Sequence, residues 1–329
     1  MFRTFADMFK NKDIRNRIFF TLAMLFVFRF GSAITVPGVD VTELIKGMQD
    51  SSLFAMINML GGGGLEQLSI FAMGVGPYIT ASIIIQLLSM DVIPALTELA
   101  KGGATGKKQI DRYTRYLAVV LSFFQASTLV YSFSTQYKTL LVNGSGWASI
   151  LYVATLLTAG SMFILWIGDR ISMKGIGNGV SMIIAAGIIS RLPYQFTTAW
   201  QTLVDPSNSS ATFNGILTFG LYIVSYLLII VFVVFMQTAE RKIPIQYTSS
   251  TVTTRKKDMT YLPLKINSAS VIPFIFASAI MVAPLQICKM VWPAASWVKT
   301  LETYMGMQTP VSLVIYVVLI LLFTFFYTK

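Results

Sequence analysis

The chain alternates long apolar runs with short polar connections, and that pattern dominates everything else in it. A membrane-crossing helix needs roughly 20 mostly apolar residues. On that measure the chain predicts eight spans, at 18–36, 73–90, 116–135, 148–167, 178–191, 215–237, 270–287 and 310–327. Residues 69–88 read SIFAMGVGPYITASIIIQLL, with no charge but with Gly74, Gly76 and Pro77 at the front, where they loosen the helix start. Immediately upstream, residues 53–69 read LFAMINMLGGGGLEQLS, a hydrophobic stretch broken by four consecutive glycines. By itself this stretch is either a mobile gate element or a plain re-entrant loop. Broken helices persist at membrane depth only where protein or a water-filled cavity surrounds them. The first span is too long for a cleaved signal, has no small-residue cleavage site and leads into further spans.

Two more segments depart from plain lipid-facing helix. Residues 166–184, WIGDRISMKGIGNGVSMII, begin a span with GIGNG, where Asn178 is the expected helix cap and the glycines permit positive φ or close backbone approach. Residues 261–281, YLPLKINSASVIPFIFASAIM, carry a polar NSAS run and then Pro273 inside an apolar stretch. GVGPYI (74–79) and SVIPFI (270–275) each place an Ile two residues after a Pro. Corresponding broken spans in two halves of a chain point to an internal repeat with a functional site between them.

Composition fixes the class. The chain is 55% hydrophobic and 12% charged, against about 25% charged in soluble domains, so the expected fold class is an all-α polytopic membrane protein. With the amino terminus placed in the cytoplasm, nineteen Lys and Arg fall in cytoplasmic segments and four (Lys46, Lys138, Lys289, Lys299) outside, with Arg29 and Arg191 in or at the ends of spans. The net charge of +11 is therefore mostly topological and suits anionic lipid headgroups, although basic cytoplasmic loops also suit ribosomal RNA.

Absences narrow the chemistry. The chain has no His, and its single Cys288 has no internal disulfide partner. Gly61–Gly64 lack the GK[ST] ending of a phosphate-binding loop. No catalytic residue, metal site or cofactor is expected, and the chain does not read as an enzyme. Arg29 is the clearest charge inside a span, and it is expected to pair or snorkel rather than hold a substrate. Asp169, Arg170 and Glu240 fall at expected cytoplasmic ends, where water solvates them. Gln86, Gln125 and Asn267 read most simply as helix–helix hydrogen-bonding groups. Such an interior has little to hold a coupling ion, which weighs against the alternative of an ion-coupled secondary transporter. An intramembrane protease needs a catalytic pair such as two membrane aspartates, and only Asp169 approaches that.

Six runs in one order carry a resemblance: residues 69–88, QIDRYTRY (109–116), 166–184, ERKIPIQY (240–247), LPLKINSASVIPFIFAS (262–278) and FFYT (325–328). In these the chain resembles the SecY/Sec61-alpha family of protein-translocase channel subunits. The resemblance runs from the amino terminus to Lys329. Family members usually have ten spans, and this chain stops at the end of the eighth, so it is expected to be truncated. The resemblance implies a SecY-like inverted-repeat bundle. Residues 1–17 would be a cytoplasmic segment, 18–195 a complete five-span half, and 196–329 a partial half of three spans with the basic loop 238–265.

The same resemblance implies roles. Residues 53–69 would form a plug, with Phe54, Asn58, Gly61, Gly62, Gly63 and Gly64 as its members. Val75, Ile79, Val180, Ile184 and Ile275 match pore-ring positions, although read without the resemblance they are ordinary packing residues. Each same-helix pair is spaced i,i+4 and so shares a face. Gln86, Gln125 and Asn267 would lie along a lateral gate. Arg241, Lys242, Arg255, Lys256 and Lys257 would form the partner-docking loop, where positive-inside charge alone is the other reading. Implied partners are SecE and SecG-like small membrane subunits, the SecA ATPase, the ribosome, secretory and membrane polypeptides as substrates, and anionic lipids. The implied location is the bacterial plasma membrane, with the amino terminus cytoplasmic.

Overall fold

The computed structural model describes residues 10–40, 64–65, 67–89, 93–137, 140–141, 146–204, 209–245, 260–265, 272–292, 295–306 and 309–328. Helix α1 (Lys12–Ser32) starts at Asn11, whose side chain accepts from the Asp13 amide at 3.1 Å. It ends one turn after Arg29, which is exposed and donates to Ser32 Oγ at 3.5 Å. A cation in the last helical turn complements the carbonyl end of the dipole.

Helix α2 (Gly76–Leu88) has Pro77 in its first turn, where a missing N–H costs nothing. Its 13 residues reach about 20 Å at 1.5 Å per residue, short of a ~30 Å hydrocarbon core. The expected span beginning at residue 73 is corrected here: Met73, Gly74 and Val75 belong to a run of turns, not to the helix. Gly74 sits at φ +56°, a left-handed conformation that stops a helix from starting any earlier.

Helices α3 (Pro94–Lys101), α4 (Gly103–Gln136), α5 (Trp147–Lys174), α6 (Gly179–Leu203) and α7 (Ser209–Thr238) follow. Strands β1 (Glu240–Ile245) and β2 (Thr260–Lys265) pair antiparallel, with Glu240 opposite Lys265 and Ile245 opposite Thr260. The chain then forms α8 (Ile272–Val291), α9 (Ser296–Met305) and α10 (Pro310–Thr328). Among the described residues α4, α5 and α7 are each long and apolar enough to cross a membrane by themselves. The apolar length of α7 is wholly unburied, as a lipid-facing helix would be. Helical architecture is as expected, and the hairpin is an addition to it.

The chain divides into two compact units, Met1–Leu192 with Ser278–Tyr316, and Pro193–Ala277 with Val317–Lys329. In the first, α4 packs on α2, α3 and α5, and α1 packs on α5. One core cluster gathers Leu65, Leu68 and Ala72 with Leu129, Phe133 and Leu157, so the turn segment is built into the bundle. In the second unit, aromatic rings pack against one another. Phe196 meets Tyr226 at 5.7 Å, Trp200 meets Phe219 at 5.0 Å, and Phe276 meets Phe323 at 5.5 Å.

Candidate functional site: an apolar cluster at two helix starts

The segment leading into α2 is irregular and buried, so each of its polar groups needs a partner inside protein. The Val36 amide donates to the Leu68 carbonyl and the Ile70 amide to the Ile34 carbonyl, both at 3.0 Å. The Ser69 amide donates to Gly64 O at 2.8 Å and the Gly74 amide to Phe71 O at 2.9 Å. From α5, Ser161 Oγ donates to Gly74 O at 2.9 Å. Phe71 is stacked between Phe28, at 6.3 Å and 4°, and Phe163, at 5.9 Å and 26°. Its ring fills the notch at Gly31, where any side chain would collide with it. The break is thus enclosed by protein, the condition under which irregular backbone is tolerated at membrane depth.

The second helix start is held as firmly. Gly177 turns the chain at φ +69°, and Asn178 Oδ1 accepts from the Val180 and Ser181 amides at 3.0 and 3.4 Å, the expected cap. Ser172 Oγ accepts from the Gly179 amide at 2.8 Å and donates to Gly168 O at 3.0 Å. Thr21 Oγ1, on α1, accepts from the Ile176 amide at 3.1 Å. Gly179 lies so close to the Gly168 carbonyl that a Cβ there would overlap it. Replacing Asn178 with Ala will lower stability by about 1 kcal/mol, the usual worth of a helix N-cap. Thermal unfolding of the detergent-solubilised protein, with Asn178→Ser as the retained-cap control, measures it.

These two starts bring their aliphatic side chains together. Val75, 1% exposed, joins Phe28, Phe71, Ile164, Ile167, Ile171 and Ile183 in one core cluster. Ile79, Val180 and Ile184 are partly buried against it. Four of the five residues assigned to a ring therefore share one cluster. The Ile79 amide donates to Val75 O at 3.1 Å, so the i,i+4 relation holds although Val75 precedes the helix. A wall of this kind offers no hydrogen bond and no charge.

Ile275 falls in the first turn of α8. Gly64 packs beside Ser69 and Ala72, whereas Phe54, Asn58, Gly61, Gly62 and Gly63 lie outside the described residues. Gln86 is exposed on α2, and Gln125 is half-buried on α4. Arg241 and Lys242 are exposed on β1, while Asn267, Arg255, Lys256 and Lys257 lie outside the described residues. Asp169 is not simply solvated: it pairs with Arg115 at 2.9 Å. Both groups remain partly exposed, so the pair contributes little. Among the described residues no group of side chains is arranged to hold a metal ion.

Sequence reasoning passed over Thr21, Phe28, Phe71, Ser161 and Ser172. Ile164, Ile167 and Ile171 carry a readable i, i+3, i+7 signal, but the others have no local signature.

A multi-pass helical membrane protein, with irregular backbone enclosed by the bundle and an apolar cluster at its helix starts, is the class that this geometry defines. The SecY family model matches residues 69–329. The protein translocase subunit SecY of Staphylococcus carnosus is 41% identical over 328 residues, covering 99% of this chain and 76% of that one. That of Streptococcus gordonii is 39% identical over 330 residues, covering 99% and 75%. Among solved structures, a protein-conducting channel matches with a TM-score of 0.62 at 17% identity, over 94% of this chain and 69% of that chain. Sec61 in the canine ribosome–channel complex matches at 0.57 and 18% identity, over 86% and 60%. The structural likenesses show the fold; the sequence relatives and family model show more. The chain belongs to the SecY family.

Proposed function

We propose that the cluster around Val75, Ile79, Val180 and Ile184 is the seal of a protein-conducting channel. The chain is the channel subunit of a protein translocase, passing unfolded polypeptides across the membrane or sideways into it. One observation carries the assignment of the seal. Four aliphatic side chains from two separate helix starts gather at one hydrophobic cluster. Ile275 joins the assignment by resemblance alone.

The finer reading follows the family. Residues 53–69 act as the plug, and their glycines supply the backbone freedom that a displaceable plug needs. Gln86, Gln125 and Asn267 line the lateral gate, where weak hydrogen bonds part at little cost. Arg241 and Lys242, exposed on β1, belong with Arg255, Lys256 and Lys257 to a docking loop for the SecA ATPase or the ribosome. SecE and SecG-like subunits accompany the chain in the bacterial plasma membrane, with its amino terminus in the cytoplasm and anionic lipid beneath the basic loops. Residues 18–195 and 196–329 belong to the two repeat halves. The chain performs no catalysis itself and needs no cofactor.

A photoreactive side chain at Ile79 or Val180 will crosslink to a secretory polypeptide stalled in transit by a folded carboxy-terminal domain. The same probe at Phe232, on the lipid-facing helix α7, will not. Equal labelling at all three positions, or none at Ile79 and Val180, would remove the seal from the polypeptide's path.

A further inference from the structure

We infer that Gly160 and Ser161, adjacent on α5, are positioning residues that hold the Gly74 turn and thereby set Val75 in the closed seal. The inference rests on the seal assigned above. A serine within a helix usually returns its hydroxyl to a carbonyl three or four residues earlier, as Thr158 does on the same helix to Ala154 O at 2.7 Å. Ser161, 2% exposed, instead reaches out of its helix to Gly74 O at 2.9 Å. Gly74 is the left-handed residue immediately before Val75, so a shift of its carbonyl moves Val75 directly.

Gly160 supplies the second hold. The Ile70 carbonyl sits where a Cβ on residue 160 would be, so the absence of a side chain lets the segment close onto α5. The two contacts bracket residues 70–74, and the short stretch between them carries Phe71 with its ring stack. Leu157, Gly160, Ser161, Ile164 and Gly168 are all buried and fall at i, i+3, i+4, i+7 and i+11. One face of α5 therefore supports Val75 through Gly160 and Ser161, and supports the α6 start through Gly168 against Gly179. The two sides of the cluster are referenced to a single rigid helix.

Removing the hydroxyl leaves a buried carbonyl without its donor and frees the turn. The full chain is reconstituted in liposomes, and passive halide release is measured per correctly inserted molecule, with Val75→Asn as the control that opens the seal directly. Ser161→Ala will raise release about fivefold or more, the size expected for an orphaned buried acceptor. Ser161→Thr, which keeps the hydroxyl, will stay tight. Gly160→Ala, whose methyl pushes the Ile70 carbonyl away, will leak like Ser161→Ala. If Ser161→Ala does not insert, Ser161→Cys keeps the volume, weakens the donor and gives the same reading. Tight Ser161→Ala vesicles beside leaky Val75→Asn vesicles overturn the positioning role. Equal leak from Ser161→Thr also overturns it, because packing then explains the effect. Tight Val75→Asn vesicles, or a wild type that leaks as much, overturn the seal itself.

Discussion

Replacing Ile79 with Asn will wet the resting channel and let proteins with defective signal sequences be exported. An amide placed against an apolar cluster either loses its hydrogen bonds, at roughly 1–3 kcal/mol, or brings water with it. Hydration is the expected outcome at the proposed seal, because Ile79 is only partly buried and its replacement is not enclosed on every side. A constriction that holds water conducts ions and no longer depends on a signal sequence to begin opening. Resting conductance in planar bilayers and export of a reporter with a damaged signal sequence are the two readouts. Each is expected to rise about tenfold, equivalent to ~1.4 kcal/mol. Ile275→Asn is expected to behave the same way. If both variants export only normal substrates and pass no extra ions, these residues are core packing and nothing more.

The second large effect is on stability. Gly179→Ala forces a methyl onto the Gly168 carbonyl, and backbone on both sides has no rotamer with which to yield. Overpacking of this kind costs about 3 kcal/mol, and more where two helices must separate. Gly220→Ala on α7 is the matched control: nothing lies within 4 Å of its added methyl, and alanine favours a helix over glycine by up to ~1 kcal/mol. Unfolding midpoints in detergent should therefore move in opposite directions. Equal shifts would mean that the close approach of α5 and α6 is not tight.

Each of the eight apolar runs contains a helix, because hydropathy reports directly on what a bilayer or a core requires. Boundaries were less legible. The third run suggested a start at residue 116, but α4 begins at Gly103, since the charged stretch before it is amphipathic enough to stay helical outside the apolar run. The fifth run ends at residue 191, yet α6 continues through Pro193 to Leu203; a helix already formed on both sides tolerates one missing N–H where neighbours replace it. The Asn178 cap was legible because capping is local. The hold of Ser161 on Gly74 was not, because its two ends lie 87 positions apart and a serine in an apolar span looks like any other. The strands were hidden for a different reason: their basic and proline residues read as a solvated loop, with no tight turn sequence to mark a hairpin.

That hairpin bears on how copies of the protein coexist. Among the described residues the sheet has two strands, so both outer rims present backbone that a neighbouring strand could add to. Pro244 on β1 and Pro263 on β2 each lack the N–H that an incoming strand would need, and Lys242 stands opposite Pro263. Arg241 and Lys265 add like charge that repels an identical hairpin. Adjacent molecules crowded in one membrane are thus kept from zipping into a shared sheet, so polymerisation is disfavoured while the exposed side chains stay available.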